Sequence, residues 1–151
     1  MSASERRLCR WWCYVWGVDV GELQRARYVR LTTFRRDGSA VTCPVWLAPV
    51  GDGFAFTTDA SSGKVKRLGN DQRVEVSVSD ARGRVAMGTR VFVGTAAVLL
   101  GDDVAPVRAA IMAKYGMLGR VLVLGGAVAE RLRRRPTATR AAVALRLNAT
   151  R

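Results

Sequence analysis

The sequence predicts one mainly β domain, a small antiparallel barrel with short flanking helices, and three observations carry that expectation. Between Tyr28 and Thr58, three short runs rich in Val, Thr, Phe and Trp are separated by Asp37-Gly38 and by Gly51-Asp52-Gly53, turn formers whose glycines supply positive φ. Val74, Val76 and Val78 alternate with Arg73, Glu75, Ser77 and Ser79, so one face of that run packs while the other meets water or a ligand. Val143, Leu145 and Leu147 repeat the alternation near the end of the chain. With 151 residues, 49% hydrophobic and 25% charged, the chain suits a single domain around a real core.

The elements follow in order. Residues 1–22 form an N-terminal extension in which Arg6, Arg7 and Arg10 border Trp11-Trp12-Cys13-Tyr14-Val15-Trp16, a cluster holding three of the four tryptophans. Its apolar run is shorter than the roughly 20 residues a bilayer span needs. A helix packed against the domain or a dimer mate is the preferred reading. A membrane-surface anchor is the alternative, and a misassigned start codon would also account for the segment. Gly21 to Arg27 reads as the end of a short helix, and Tyr28 to Thr58 as a three-stranded antiparallel meander. The third strand, Phe54 to Thr58, empties into Asp59-Ala60-Ser61-Ser62-Gly63, where Ser61 or Ser62 is the N-cap of a helix running through Leu68 to Gly69-Asn70. Arg90 to Leu100 is a long β-prone run in which Gly94 marks a bulge. Asp102 or Asp103 caps a helix through about Tyr115, with Pro106 in its first turn and Gly116 at its end. Leu118 to Arg135 reads as a second helix kinked near Gly125-Gly126, its closing arginines suiting the negative end of the helix dipole. Ala141 to Leu147 is the final strand.

Charge and composition exclude much chemistry. The net charge is +13, which favours anionic partners of any kind. The chain has no histidine, so no Ser-His-Asp or Cys-His nucleophile system, no His-ligated zinc and no histidine-ligated haem can be assembled. Cys9, Cys13 and Cys43 form no C-x-x-C pair, and their odd number fits reduced cytosolic thiols. Whatever reaction occurs, a cofactor is expected to bring it; no metal site is expected.

One stretch offers a place for that cofactor. Lys64, Lys66 and Arg67 sit at the start of a short helix, where unpaired N–H groups and a partial positive charge make an anion site suited to phosphate. Of 25 basic residues only three are lysines, and two of those stand here, which suggests a local requirement. A solvated basic turn is the plain alternative, since SGKVKR lacks the spacing of a Walker loop.

TTFRRDGSAVTCPVWL, FTTDASSGKVKRL and the close of the Val-rich strand at Ser79-Asp80-Ala81-Arg82-Gly83 together resemble the actinobacterial branch of the split β-barrel flavin and deazaflavin reductases. These are relatives of pyridoxamine 5′-phosphate oxidase described as F-420-dependent oxidoreductases. The likeness runs from about Leu23 to Leu147. It implies an FMN-binding-like split β-barrel over residues 23–151, and a homodimer with two cofactor sites at the subunit seam. It further implies coenzyme F-420, with FMN as the alternative, and hydride transfer to a small-molecule acceptor such as a quinone, an enone or a tetrapyrrole. On this resemblance Lys64, Val65, Lys66 and Arg67 form the phosphate loop, while Thr42, Pro44, Val45 and Trp46 face the ring. Trp46 either stacks near the ring or fills the core. Thr57 and Thr58 offer hydroxyls, and Ser79 to Gly83 closes over the tail. The product's proton would come from solvent, from Tyr28 or Tyr115, or from a water polarised by arginine. A cytoplasmic protein with no nucleic-acid partner is expected; a non-catalytic cofactor or haem carrier and a nucleic-acid-binding barrel are the rival classes. Two features depart from the family pattern: Cys43, where relatives often carry a small hydroxyl residue, and the Trp-rich extension.

Overall fold

The computed structural model describes residues 20–116 and 140–150. In chain order these form α1 (Gly21–Arg25), β1 (Tyr28–Phe34), β2 (Ala40–Val45), β3 (Ala48–Val50), β4 (Gly53–Asp59), α2 (Gly63–Asn70), β5 (Arg73–Ser79) and β6 (Phe92–Leu99). A 3₁₀ turn (Gly101–Asp103) leads into α3 (residues 104–116), and β7 (Arg140–Thr150) completes the sheet.

All seven strands belong to one antiparallel sheet in the order β2-β1-β5-β6-β7-β4-β3. The two edge strands of that order, β2 and β3, are consecutive in the chain, with only Trp46 and Leu47 between them. Three residue steps reach at most about 11 Å, so the sheet must curl until its edges nearly meet, without a ladder between them. This is a split β-barrel.

The interior is filled by the inward residues of each strand. Val29 and Leu31, Phe54 and Phe56, Val74 and Val76, Phe92, and Val143, Leu145 and Leu147 form one buried cluster, into which α2 inserts Leu68 and α1 inserts Leu23. On the outside, Val104 and Val107 of α3 cover Ala55 and Ala142, where small residues let the helix approach β4 and β7. No helix among the described residues is long and apolar enough to cross a membrane.

Most local expectations hold. The β1–β2 hairpin turns at Gly38, whose φ is +83°. Gly94 marks a register shift in the β6–β7 ladder, and an added Cβ there would collide with the Arg146 carbonyl, so only glycine allows the strands to cross at this bend. Gly116, at φ +53°, ends α3.

Three expectations need correction. Tyr28 to Thr58 is not a three-stranded meander: its middle run divides into β2 and β3, which lie at opposite edges of the sheet. The cause is at Trp46 and Leu47. The Trp46 ring stacks on Tyr115, and the Leu47 carbonyl accepts hydrogen bonds from the side chains of Lys114 and Tyr115, so the chain leaves one ladder before it joins another. Second, Ser62 takes the N-cap position of α2 in extended conformation, but its hydroxyl makes no capping bond and instead accepts from Thr58 at 3.4 Å. Third, the helix expected to start at Asp102 or Asp103 opens with a 3₁₀ turn that holds both aspartates, with Asp103 directly before α3. The expected helix from Leu118 to Arg135 and the Trp-rich segment fall outside the described residues.

Candidate functional site

Two groups of the expected residues are brought together, one at α2 and one on the outer surface of β2. At α2, the Asp59 carboxylate accepts the Ser61 backbone N–H and hydroxyl, each at 2.7 Å, and so fixes the turn that launches the helix. Lys64, half-buried, donates from Nζ to Thr58 Oγ1 at 3.2 Å. Arg67 donates from Nε to Thr33 Oγ1 at 2.8 Å, and Thr33, which is 1% exposed, donates in turn to the Val41 carbonyl at 3.4 Å. The Arg67 guanidinium folds back over the start of the helix: an added Cβ on Gly63 would stand 2.9 Å from its Nη1. Lys66 is exposed, Val65 is half-buried, and Thr57 is exposed on the opposite side of β4 from Thr58. The result is a turn of helix that carries three cations, with the Arg67 guanidinium over its start and with Lys64 and Arg67 held by hydroxyls rather than by carboxylates.

The second group is built on β2. Its side chains alternate so that Thr42 and Pro44 face outward and are exposed, while Cys43 packs against the interior and Val45 is buried in it. Val45 therefore offers only its backbone to this surface. Pro44 lies against the turn after β5, since a Cβ built on Gly83 would be 3.4 Å from Pro44 Cδ. Gly83 has φ +79°, which glycine adopts without strain. The Asp80 carboxylate holds this turn rigid by accepting from the backbone N–H groups of Arg82 and Arg84 and from Arg84 Nε, at 2.8 to 2.9 Å. Those bonds hold the Asp80 carboxyl below the usual carboxylate range, the Arg84 N–H contributing most. Ser79, opposite Tyr28 in the ladder, donates its hydroxyl to the Asp80 carbonyl at 3.1 Å.

Strand β2 itself measures the distance between the groups. Val41 reaches α2 through Thr33 and Arg67, and Pro44, three residues on, reaches Gly83, which at about 3.4 Å per residue is about 10 Å. A strip without bulky side chains, Thr42, Pro44 and Gly83, lies on the outer face of the β1–β2 pair, whereas the Thr33 side chain that holds Arg67 leaves by the inner face, with Val29 and Leu31. Such a donor set suits a flat ring with an anionic tail.

At the far end of β2 the chain is committed to packing. Trp46 stacks on Tyr115 with centroids 4.5 Å apart and meets the edge of Tyr28 at 6.1 Å. The Tyr115 hydroxyl shares its proton between the carbonyls of Arg27 at 2.9 Å and Leu47 at 3.0 Å. Burial pushes its pKa up to about 12, against a smaller opposing effect of the Leu47 hydrogen bond. Lys114 Nζ donates to the carbonyls of Leu47 at 2.6 Å and Leu23 at 3.3 Å, and burial pushes its pKa down. Among the described residues there is no grouping of His, Cys, Asp and Glu able to hold a metal.

Against known proteins, the family model described as pyridoxamine 5′-phosphate oxidase matches residues 20–148. The chain belongs to this family. Solved structures with the same fold include the conserved hypothetical protein Rv2991 from Mycobacterium tuberculosis, at TM-score 0.61 and 20% identity, covering 89% of this chain and 84% of that one. A protein described as an F420 reductase matches at TM-score 0.59 and 19% identity, covering 91% of this chain and 98% of its own. HutZ, the heme storage protein from Vibrio cholerae, matches at TM-score 0.60 and 12% identity, covering 86% and 88%. No curated protein matches the chain. At these identities the neighbours establish the fold, and the split barrel of the pyridoxamine 5′-phosphate oxidase family is the one described above.

Within this family member, sequence reasoning missed Thr33 and Arg30. Thr33 was hidden because threonine is simply a good strand residue, and only its proximity to Arg67, 34 positions away, gives it a role. Arg30 was hidden because its place beside Pro44 depends on the β1–β2 register.

Proposed function

We propose that this chain binds the deazaflavin coenzyme F-420 and passes a hydride from its reduced form to an electron-poor conjugated acceptor, such as a quinone, an enone or a tetrapyrrole. The observation that carries the reading is the start of α2, where Lys64, Lys66 and Arg67 surround free backbone N–H groups and Lys64 is held only by a hydroxyl that an anionic oxygen could replace. An oxidase in the family name and an F420 reductase among the fold neighbours support redox chemistry of this kind.

When bound, the reduced deazaflavin supplies a hydride from a ring carbon, two electrons in all, and the acceptor takes up one proton. The chain's own work is to hold and orient. Lys64 and Lys66 grip the phosphate of the tail, and Arg67, anchored on Thr33, adds charge above the helix start. Thr42, Pro44 and Gly83 support one face of the ring, and the rigid Asp80 turn fixes its position, so that donor and acceptor meet in one geometry. Tyr115 does not give the proton, because its hydroxyl is bound to backbone carbonyls and its pKa is raised to about 12. Solvent, Tyr28 or a water polarised by arginine does. The protein works as a cytoplasmic homodimer without nucleic acid.

FMN is the second reading, since its phosphate would meet the same cations. Titrating the protein with each cofactor, following quenching of cofactor fluorescence, separates the two. F-420 is expected to bind more tightly, and Lys64→Ala and Lys66→Ala each to weaken it by about 1–3 kcal/mol, the size of a lost charged hydrogen bond. Equal affinity in all three proteins would remove the α2 assignment.

A further inference from the structure

On the outer surface of β1, Arg30 has a buried Nε that finds no hydrogen-bond partner among the described residues. Arg30 alternates with the buried core residues Val29 and Leu31, so it faces away from the barrel interior. Its cross-strand neighbours are Pro44 on β2 and Ser77 on β5. Ser77 is 2% exposed and Thr32, two residues further along the same face, is 7% exposed, so this outward surface is shielded from water toward β5, while Pro44 on its β2 side is exposed. Within it Arg30 Nε is buried and makes no hydrogen bond. Glu75, which stands opposite Thr32 one pair further along, has interactions of its own and leaves Nε without an acceptor.

Buried donors on charged groups are almost always satisfied, because desolvation without a partner is costly. An arginine side chain held this way is therefore waiting for an oxyanion, and its planar fork suits a carboxylate taken at two oxygens. Position decides which one. Arg30 is three residues from Thr33, the anchor of Arg67, so its backbone is about 10 Å further along β1 and its side chain leaves by the opposite face of the strand. It is level with Pro44 and Gly83, the part of the surface assigned to the ring rather than to the phosphate tail. An anion at that level belongs to the molecule lying over the ring.

We propose that Arg30 binds the carboxylate of the acceptor, and that the natural acceptor is an electron-poor conjugated molecule carrying a carboxylate side chain. The proposal rests on the cofactor reading above for the acceptor's role, but the anion site itself does not. Of the acceptor classes named, tetrapyrroles bearing acidic side chains satisfy it, and uncharged quinones and enones do not.

The test is equilibrium binding of a naphthoquinone with a propionate side chain and of its methyl ester, measured by dialysis with the wild type, Arg30→Met and Arg30→Lys. The wild type is expected to prefer the acid at least tenfold. Arg30→Met should bring that ratio close to one, and Arg30→Lys, which keeps the charge but not the fork, should fall between. F-420 affinity, titrated in parallel, should differ less than threefold among the three. A wild type that binds acid and ester equally, or a preference that survives in Arg30→Met, overturns the proposal. So does an Arg30→Met protein whose sedimentation shows a lost dimer while the acid preference is unchanged, because the carboxylate then comes from a second copy. If the acid preference follows Arg30 while no F-420 binds, the anion site stands and the cofactor reading fails. If F-420 binds and no acid preference is found, this inference alone fails.

Discussion

Two lysines stand at opposite ends of the β2 stretch, and their partners differ in kind. Lys114 donates to two backbone carbonyls, at 2.6 Å to Leu47 and 3.3 Å to Leu23, and shares the Leu47 oxygen with the Tyr115 hydroxyl. Lys64 donates to one threonine hydroxyl at 3.2 Å. A backbone carbonyl at the seam of the barrel is fixed in place by the chain on either side of it, so the first lysine is part of the fold. A hydroxyl can rotate and be replaced by a stronger acceptor, so the second is available to a ligand. The same residue type is a bolt in one place and a hand in the other, and the neighbouring acceptors decide which.

The comparison breaks most easily at the seam. Lys114→Ala should destabilise the protein by about 3 kcal/mol in urea unfolding, because it leaves the Leu23 and Leu47 carbonyls short of a donor and removes buried stem atoms. A loss below about 1 kcal/mol would show that Tyr115 holds the seam alone. At the other end, Lys64→Ala should leave unfolding within about 0.5 kcal/mol of the wild type while weakening F-420 by about 2 kcal/mol, a separation of stability from binding that the seam lysine cannot show.

Tyr115→Phe should have a smaller effect, about 1 kcal/mol for a lost neutral hydrogen bond, with the stack on Trp46 kept. Its pH dependence sharpens the test. The folded pKa is raised to about 12 from an ordinary 10, so the phenol's contribution is complete below pH 10 and is lost as pH rises toward 12. Lys114, whose pKa is lowered by burial, acts in the opposite sense and regains stability as pH climbs to its ordinary value of 10.5. Denaturant midpoints between pH 10 and 12 should therefore fall in the wild type and fall less steeply in Tyr115→Phe. The smallest effect is expected for Thr58→Val: it removes the hydroxyl that Lys64 holds and should change stability by less than about 0.5 kcal/mol by the same measurement.

What could be read from the sequence was local. The bulge at Gly94, the turn at Gly38 and the helix start after Ser62 each depend on a few adjacent residues, and each is where the pattern puts it; the alternation of β5 holds at Val74 and Val76, while Ser77 on the opposite face is buried as well. The separation of β2 from β3 was not legible, because Trp46 and Leu47 are pulled out of the ladder by Lys114 and Tyr115, some seventy positions later. The contact of Pro44 with Gly83 and the pairing of Arg30 with Pro44 were hidden for the same reason: register and closure belong to the sheet as a whole. The basic loop after β4 was visible as charge, but its division into Lys64 on Thr58 and Arg67 on Thr33 required the barrel to bring those hydroxyls near.

The account turns on the first turn of α2 receiving an anionic cofactor tail. Amide hydrogen exchange with and without F-420 tests it directly, with α3 as the internal control. The backbone N–H groups of Gly63, Lys64 and Val65, at the open start of the helix, should exchange at least tenfold more slowly with F-420 bound, and those near Lys114 and Tyr115 should not change. Exchange at Gly63 to Val65 that is unaffected by saturating F-420 would contradict the claim.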